Sequence, residues 1–244
     1  MPTHLLARRR HKPRPALSLM EGIALARGRA HEVCGPARHS FALWLAAAAQ
    51  KAAPGPVLWL ALPQAGRPLN PDGMAEFASP ARFLFLTAAS SADLLWAMEE
   101  SLRSGAAPLV VAELPEPPAM TPVRRLHLAA EAGGGLGPAP LGLMLTPGEG
   151  GAPGIESRWH LSPAHAPLPP LPLAKPRTAG TGTCWTLQRL RARTLPPPLR
   201  KGSQDAAGGP PSAGPAPTPP PSTPPSPPRS PRPPPPPPAT PAAP

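Results

Sequence analysis

Residues 31–45 (HEVCGPARHSFALWL) contain a short strand, a turn and the start of a helix. The half-apolar run His31–Cys34 stops at a Gly-Pro pair, which is typical of a strand that closes in a turn. Ser40 then precedes the almost wholly apolar stretch Phe41–Ala49, so we predict that Ser40 is the N-cap of a helix packed against a sheet. This β-turn-α unit indicates the fold class, because similar units follow it along the chain.

Strand-length apolar runs recur downstream and alternate with helical patterns. Uniformly apolar strands separated by helices indicate an α/β fold with a mostly parallel sheet that is covered on both faces. The tryptophans within these patterns, Trp44, Trp59 and Trp96, are expected in the core. The predicted strands are Val57–Leu62, Phe83–Leu86, Leu109–Ala112, Leu141–Leu145 and a more exposed Ser157–Leu161.

Two further helices have recognisable ends in the sequence. Ser90, with Asp93 three residues later, predicts a capped helix start, and Gly105 predicts its end. Thr121 stands before a proline and predicts the start of the next helix, which stops at Gly133. These helices lie between predicted strands, as a parallel sheet requires.

Composition divides the chain into three segments. Residues 1–15 form a basic arm, and residues 16–195 are long enough for one core of ordinary size. Residues 196–244 hold 23 of the 48 prolines and almost no apolar residue larger than alanine. Such a segment buries too little apolar surface to offset the entropy lost on ordering, so we expect a disordered tail with polyproline II character at 233–238.

The net charge of +11 is concentrated at the two ends of the chain. The first 14 residues carry five bases and no acid, whereas the central 181 residues between them and the tail hold 15 bases against 12 acids. Flexible basic ends add salt-sensitive affinity for a phosphate backbone, or they only keep the protein soluble, and both interpretations stay open.

Cysteine content and hydropathy favour a cytoplasmic protein without a membrane segment. Cys34 and Cys184 are the only cysteines and lie far apart along the chain, which fits neither a disulfide scaffold nor a zinc site. The apolar residues 16–25 are interrupted by polar ones, which argues against a signal peptide. No run approaches the roughly 18 apolar residues of a transmembrane helix.

The turn after the first strand of the β-turn-α unit is where a phosphate-binding loop would lie. The loop G-x-x-x-x-G-K-[ST] needs a second glycine, a lysine and a hydroxyl. After Gly35, this chain has Ser40 in place of the glycine, Phe41 in place of the lysine and Ala42 in place of the hydroxyl. An aromatic ring cannot neutralise phosphate, and a methyl group cannot bind magnesium, so we predict that the chain does not hydrolyse ATP.

Several segments resemble RecA, and more closely the ImuA family of RecA-like mutagenesis proteins. Leu17–Leu25 followed by Gly28–Pro36 looks like the RecA approach to its phosphate loop, in which a leucine-rich helix leads into Glu-x-x-Gly-Pro. Ser104–Glu113 is similar to the RecA segment that ends in the magnesium-associated acid, which places Glu113 at that position. The glycine-rich loop Pro147–Gly154 matches the place of the second DNA-binding loop of RecA. Residues 16–195 are thus interpreted as a degenerate RecA-like domain.

This resemblance implies a non-catalytic accessory protein of SOS-induced DNA damage tolerance, in translesion synthesis and mutagenesis. The expected partners are an ImuB-like polymerase homologue and RecA, with direct DNA contact left open, and neither a cofactor nor a metal is expected. RecA-like ATPases also carry a water-activating glutamate where Leu60–Gly66 has no carboxylate. Two alternatives remain: a divergent P-loop ATPase of DNA repair that uses Arg38, and a cell-division inhibitor of the SulA type.

The last ordered-looking segment, Cys184–Leu195, is the candidate contact surface. Read as a strand, it places Trp185 on the same face as Arg189, Arg191 and Arg193. Tryptophan and arginine are enriched in binding hot spots, so this strip is predicted to contact a partner or DNA. An edge strand covered by its own basic side chains is the alternative.

Overall fold

The computed structural model describes residues 15–64, 69–164 and 184–192, together with the backbone of residue 183 and of residues 199–204 and 212–213. The predicted basic arm, apart from Pro15, lies outside the described residues. So does the predicted proline-rich tail, apart from the two backbone segments. Within the described ranges, no helix is long and apolar enough to cross a bilayer.

An antiparallel hairpin of β1 (Ala16–Met20) and β2 (Ile23–Ala26) precedes the main sheet. The strands of the main sheet are β3 (Arg29–Cys34), β4 (Val57–Ala61), β5 (Phe83–Thr87), β6 (Leu109–Glu113), β7 (Leu141–Leu145), β8 (Ser157–Ala164), β9 (Thr183–Ala192), β10 (Leu199–Gln204) and β11 (Ser212–Ala213). The helices are α1 (Arg38–Ala52), α2 (Pro71–Ala75), α3 (Ser91–Ser104) and α4 (Met120–Gly133), with a 3-10 turn at Pro80–Arg82.

The main sheet has the order β11-β10-β9-β8-β3-β7-β6-β4-β5. The six neighbouring strands from β8 to β5 are parallel, and β9 joins β8 in the antiparallel sense. The predicted fold class, α/β with a mostly parallel sheet flanked by helices, is therefore confirmed. Because the carboxyl ends of parallel strands meet at one edge, the loops after β3, β4, β6 and β7 come together there.

Two apolar layers cover the sheet. On one face, helix α1 and the β1-β2 hairpin bury residues such as Leu25, Phe41 and Trp44. On the other face, α3 and α4 bury residues such as Met98 and Leu126. Every residue of β3 and β7 is buried, since these strands lie in the middle of the sheet between both layers.

The predicted ends of α3 are confirmed, whereas the predicted N-caps of the other two helices are wrong. Ser90 caps α3 by accepting a hydrogen bond from Asp93 N, and Gly105 ends the helix with a left-handed backbone at φ 65°. The N-cap predictions for Ser40 and Thr121 are wrong, because α1 begins after Ala37 and α4 after Ala119, and neither start has a side-chain cap.

Three further expectations are corrected by the structure. The leucine-rich segment Leu17–Leu25 is a hairpin rather than a helix. Buried and exposed residues alternate with period two along both of its strands, and the leucines are at buried positions. Trp44 and Trp59 are core residues as predicted. Trp96 is 60% exposed, because the side of α3 that packs on the core carries Leu94 and Met98 instead. Strand β5 is at the sheet edge, which leaves Phe85 54% exposed.

Candidate functional site

The turn between β3 and α1 lies at the middle of the carboxyl edge of the sheet. Gly35 has φ 89°, and a Cβ atom there would lie 2.5 Å from the carbonyl oxygen of Leu161, so the turn requires glycine. Ala37 N donates to the same Leu161 oxygen over 3.1 Å, which fixes the start of α1 against β8. Gly35 and Ala37 thus fix the path of the chain from β3 into α1, which begins at Arg38, two residues before the position of the motif's second glycine.

The three side chains at the remaining positions of the phosphate-loop motif lie in α1 and pack toward the core to different degrees. Phe41 and Ala42, which stand at the lysine and hydroxyl positions of the loop motif, are both fully buried in the α1 layer. The Phe41 ring stacks on Trp159 with centroids 6.2 Å apart and an interplanar angle of 29°. Ser40, at the position of the second glycine, is half-buried in the first turn of α1. These positions thus contribute to the core.

Glu113 ends β6 and faces the start of α1. Its Oε1 atom is 2.8 Å from His39 Nε2 and 4.0 Å from an Arg38 guanidinium nitrogen, and its side chain is 14% exposed. His39 also stacks on Trp59, with centroids 6.2 Å apart. The strand-end acid and the two basic residues of the turn are therefore bound to one another.

A small cavity of about 190 Å³ opens beside this cluster, lined by Arg38, Leu62, Gln64, Glu113 and Pro147 among others. Sites for drug-sized ligands and cofactors usually measure about 300 to 1,000 Å³. In the described residues, no group of three or more His, Cys, Asp or Glu side chains could hold a metal ion. The cavity beside Glu113 is thus smaller than a typical cofactor site, and Arg38, the arginine that lines it, lies within ion-pair distance of Glu113.

The glycine-rich loop after β7 is tied to a fully buried acid, Glu32, in the middle of β3. Arg158 Nε on β8 donates to Glu32 Oε2 over 2.5 Å, and Thr146 Oγ1 donates to Oε1 over 2.8 Å. The backbone nitrogens of Gly151 and Ala152 donate to the same carboxylate over 2.9 and 3.2 Å. One carboxylate thus holds the loop to the sheet.

Sequence reasoning did not single out this Glu32 cluster. A signal was present, since an acid inside a strand that must be covered on both faces needs a buried cationic partner. The identity of that partner was not readable, because Arg158 lies 126 residues away along the chain.

A second buried network lies on the same strand. His31 accepts a hydrogen bond from Ser157 Oγ at Nδ1 over 2.7 Å and donates from Nε2 to the Ala26 carbonyl over 2.9 Å. Trp159 Nε1 donates to the same hydroxyl oxygen over 2.9 Å. All three bonds are satisfied by a neutral imidazole, and burial lowers the pKa of His31 from 6.5 to about 4.

We expect the His31 network to make stability depend on pH in the acid range. The unfolded chain protonates His31 below pH 6.5 while the folded chain resists protonation down to about pH 4. Stability is therefore complete above pH 6.5 and falls as the pH drops toward 4, by roughly 2 to 3 kcal/mol between about pH 7 and pH 4.5. Urea unfolding at both pH values should show a smaller difference for His31→Gln, whereas an unchanged difference would contradict this assignment.

Cys34 is buried at the end of β3, and its Sγ donates to the Trp159 carbonyl over 3.3 Å. Burial, with the nearby Glu32 charge, raises the pKa of the thiol to about 12. A thiol that stays protonated is a poor nucleophile, so Cys34 is part of the core. Cys184 is half-buried on β9.

The predicted contact strip on β9 is divided by a β-bulge. Trp185 packs edge-to-face on Trp44, with centroids 5.6 Å apart, and the Arg189 guanidinium lies 5.5 Å from the centre of the Trp159 ring. Pairing with β8 then skips Leu190, so Arg191 turns to the face of the sheet that carries α4. The prediction of one shared face is thus wrong for Arg191, and Arg193 lies outside the described residues. A role for these residues in partner binding stays a prediction.

The chain is therefore an α/β protein with a mostly parallel sheet, in which Phe41 and Ala42, at the lysine and hydroxyl positions of the phosphate-loop motif, lie buried in α1. No family model matches the chain, and no curated protein matches it. Among solved structures, the crystal structure of SulA from Pseudomonas aeruginosa is a distant neighbour, 22% identical with a TM-score of 0.40. The matched region covers 49% of this chain and 98% of that one.

Proposed function

We propose that this protein is a catalytically inactive RecA-like accessory protein that acts through protein contacts in DNA damage tolerance. The observation that carries the proposal is the burial of Phe41 and Ala42, since the two positions that would grip a triphosphate and its metal belong to the core. The role in damage tolerance rests on the resemblance of Gly28–Pro36 and Ser104–Glu113 to the ImuA family.

The cluster around Glu113 supports the same proposal. A RecA-like ATPase needs a free acid for its magnesium ion, whereas Glu113 is engaged by His39 at 2.8 Å and approached by Arg38. An ATPase that used Arg38 as its cation would have to break this cluster and leave the partly buried Glu113 with one partner fewer. The alternative of a divergent ATPase is therefore disfavoured.

The edge strand β5 supports a function through protein contacts. Three successive side chains, Leu84, Phe85 and Leu86, are 53%, 54% and 41% exposed, and the strand contains no charged residue or proline. Natural edge strands are usually protected by such residues, and exposed apolar edges often mark interaction sites. By the resemblance, the proposed partners are an ImuB-like polymerase homologue and RecA.

The proposal predicts that the purified chain does not bind ATP. Isothermal titration with ATP and magnesium should give no binding heat up to about 1 mM nucleotide, because Phe41 and Ala42 are buried and Arg38 approaches Glu113. ADP should behave in the same way, and RecA titrated under the same conditions is the positive control. A micromolar Kd, or any turnover of ATP with or without DNA, would overturn the assignment as an inactive protein.

The partner part of the proposal needs its own measurement. We expect the chain to retain purified ImuB-like protein or RecA from the same source in a pull-down. Phe85→Glu should weaken retention if β5 is the contact, and Leu136→Glu is the matched control, because Leu136 is 76% exposed in the loop after α4. Failure to retain either protein would contradict the role in damage tolerance while leaving the absence of ATP binding intact.

A further inference from the structure

Helix α4 presents an exposed stripe opposite its buried one. Met120, Arg124, Leu128 and Glu131 recur at helical spacing on the outer side, while Val123 and its neighbours along the helix face the core. The outer stripe lines a groove of about 460 Å³. Its other walls come from distant parts of the chain, including Arg29 at the start of β3 and Arg191 near the end of β9.

The floor of the groove is fixed and electrically balanced. Arg29, whose side chain is 9% exposed, has ion pairs of 3.2 Å with Glu131 and 3.7 Å with Glu156. His127 on α4 accepts a hydrogen bond from Ala30 N over 3.2 Å and donates to the Gly154 carbonyl over 3.1 Å. These contacts hold α4 to β3 and to the end of the glycine-rich loop, so the groove has a preformed shape.

The walls of the groove also carry two positively charged side chains, and these have no carboxylate partner among the described residues. Arg124 and Arg191 are exposed, and within the described part of the chain neither guanidinium group has an ion pair or a hydrogen bond to another residue. Arg191 reaches this face only because the bulge at Leu190 reverses the side-chain alternation of β9. Two uncompensated guanidinium groups therefore border one concavity.

An apolar surface lies beside these charges. Leu128 is 66% exposed and Met120 is 40% exposed, and both line the same groove. Exposed apolar side chains next to arginines form an amphipathic surface, which is typical of sites that bind a peptide by one apolar anchor and its flanking charges.

The charge of the groove favours an acidic occupant. The residues whose side chains are not described, 1–14, 65–68, 165–183 and 193–244, contain many bases and a single acid, Asp205. A nucleic acid backbone is also disfavoured, because the exposed Leu128 and Met120 make part of the lining apolar, which a phosphate backbone does not match.

We propose that the groove between α4 and β9 binds an acidic peptide segment of a partner protein that carries a large apolar side chain. Carboxylates of the peptide would pair with Arg124 and Arg191, and its apolar side chain would pack on Leu128 and Met120. This inference rests on the proposed function as a contact protein and names the chemistry of one partner surface.

The test is a fluorescence anisotropy titration of the full chain with defined peptides. A fluorescein-labelled hexapeptide of four aspartates and two leucines should bind with a Kd of about 100 μM or better, and its affinity should fall as salt rises from about 0.05 to 0.2 M. A peptide with serine in place of both leucines should bind at least about fivefold more weakly. The corresponding lysine peptide should not bind.

Neighbouring arginines on α4 provide the matched control. Arg124→Ala combined with Arg191→Ala should raise the Kd of the acidic peptide at least about tenfold. Arg125→Ala should change it less than about twofold, because Arg125 lies outside the groove and pairs with Glu99 over 2.7 Å. Leu128→Ser should weaken binding, whereas Leu136→Ser should not.

Three results would overturn the proposal. They are no binding of the acidic peptide, equal losses for Arg125→Ala and for the double variant Arg124→Ala with Arg191→Ala, and tighter binding of a twelve-nucleotide thymidine strand than of the peptide that the double variant loses at the same salt concentration. The last result would identify the groove as a nucleic acid site. Since ATP titration does not involve this groove, these outcomes are distinguishable from a failure of the proposed inactive role.

Discussion

Replacing Glu32 by alanine is expected to destabilise the protein by about 3 to 5 kcal/mol, the usual cost of removing one partner of a buried ion pair. The substitution leaves the Arg158 guanidinium without its carboxylate and removes the acceptor for two backbone N–H groups of the glycine-rich loop. Urea unfolding followed by tryptophan fluorescence measures the change, because Trp44, Trp59 and Trp159 are all buried.

Two further variants test the cause of this loss. Glu149→Ala is the control from the same loop, and we expect a change within about 0.5 kcal/mol because its side chain is 77% exposed. The double variant Glu32→Gln with Arg158→Gln should be more stable than Glu32→Gln alone, because the unpaired charge is removed. If the free energy of unfolding lost in the double variant equals the sum of the losses in Glu32→Gln and Arg158→Gln, the two side chains do not act as a pair.

Replacing Phe41 by lysine is expected to cost at least about 4 kcal/mol, or to prevent folding, rather than to restore a phosphate loop. The ring is fully buried and stacked on Trp159, so the change removes a core aromatic and buries an ammonium group without a partner. Typical domains have only about 5 to 15 kcal/mol of stability, so such a loss is severe. Thermal and urea unfolding measure it.

Two further variants show whether the loss of stability comes from the lysine charge itself or from its burial at position 41. Phe41→Leu should cost about 1 to 2 kcal/mol, since it keeps an apolar side chain in the core. Ser40→Lys places the same charge one residue earlier, on a half-buried position of α1, and should cost less than about 1 kcal/mol. If Phe41→Lys folded with unchanged stability and gained micromolar affinity for ATP, Phe41 would have to face a ligand site.

Much of the fold was readable from local patterns. The apolar runs at Val57–Leu62, Leu109–Ala112 and Leu141–Leu145 correspond to β4, β6 and β7, because a strand covered on both faces has few polar residues. The hairpin at residues 16–26 was missed, although its leucines alternate with period two, because the resemblance suggested a helix. The burial of Trp96 was predicted wrongly, because an aromatic residue in a helix is buried only if it lies on the side of the helix that faces the core.

The candidate site was only partly readable. The loss of the lysine and hydroxyl at Phe41 and Ala42 was visible in the sequence, and so was a strand-end acid at Glu113. The ring stack of Phe41 on Trp159 and the engagement of Glu113 by His39 required the positions of two strands, β8 and β6, relative to α1. The groove beside α4 was not anticipated, because its arginines come from residues 29, 124 and 191.

By itself, the sequence determined most strands and helices of the main sheet, and it showed that Gly35 is not followed by the lysine and hydroxyl of a phosphate-loop motif, because both depend on residues close together along the chain. The tertiary structure alone decided that Glu32 pairs with Arg158 and that Arg191 joins Arg124 rather than Trp185. The reason is physical: one extra residue in β9 reverses the face of every side chain beyond it, and strand order determines which distant residues become neighbours.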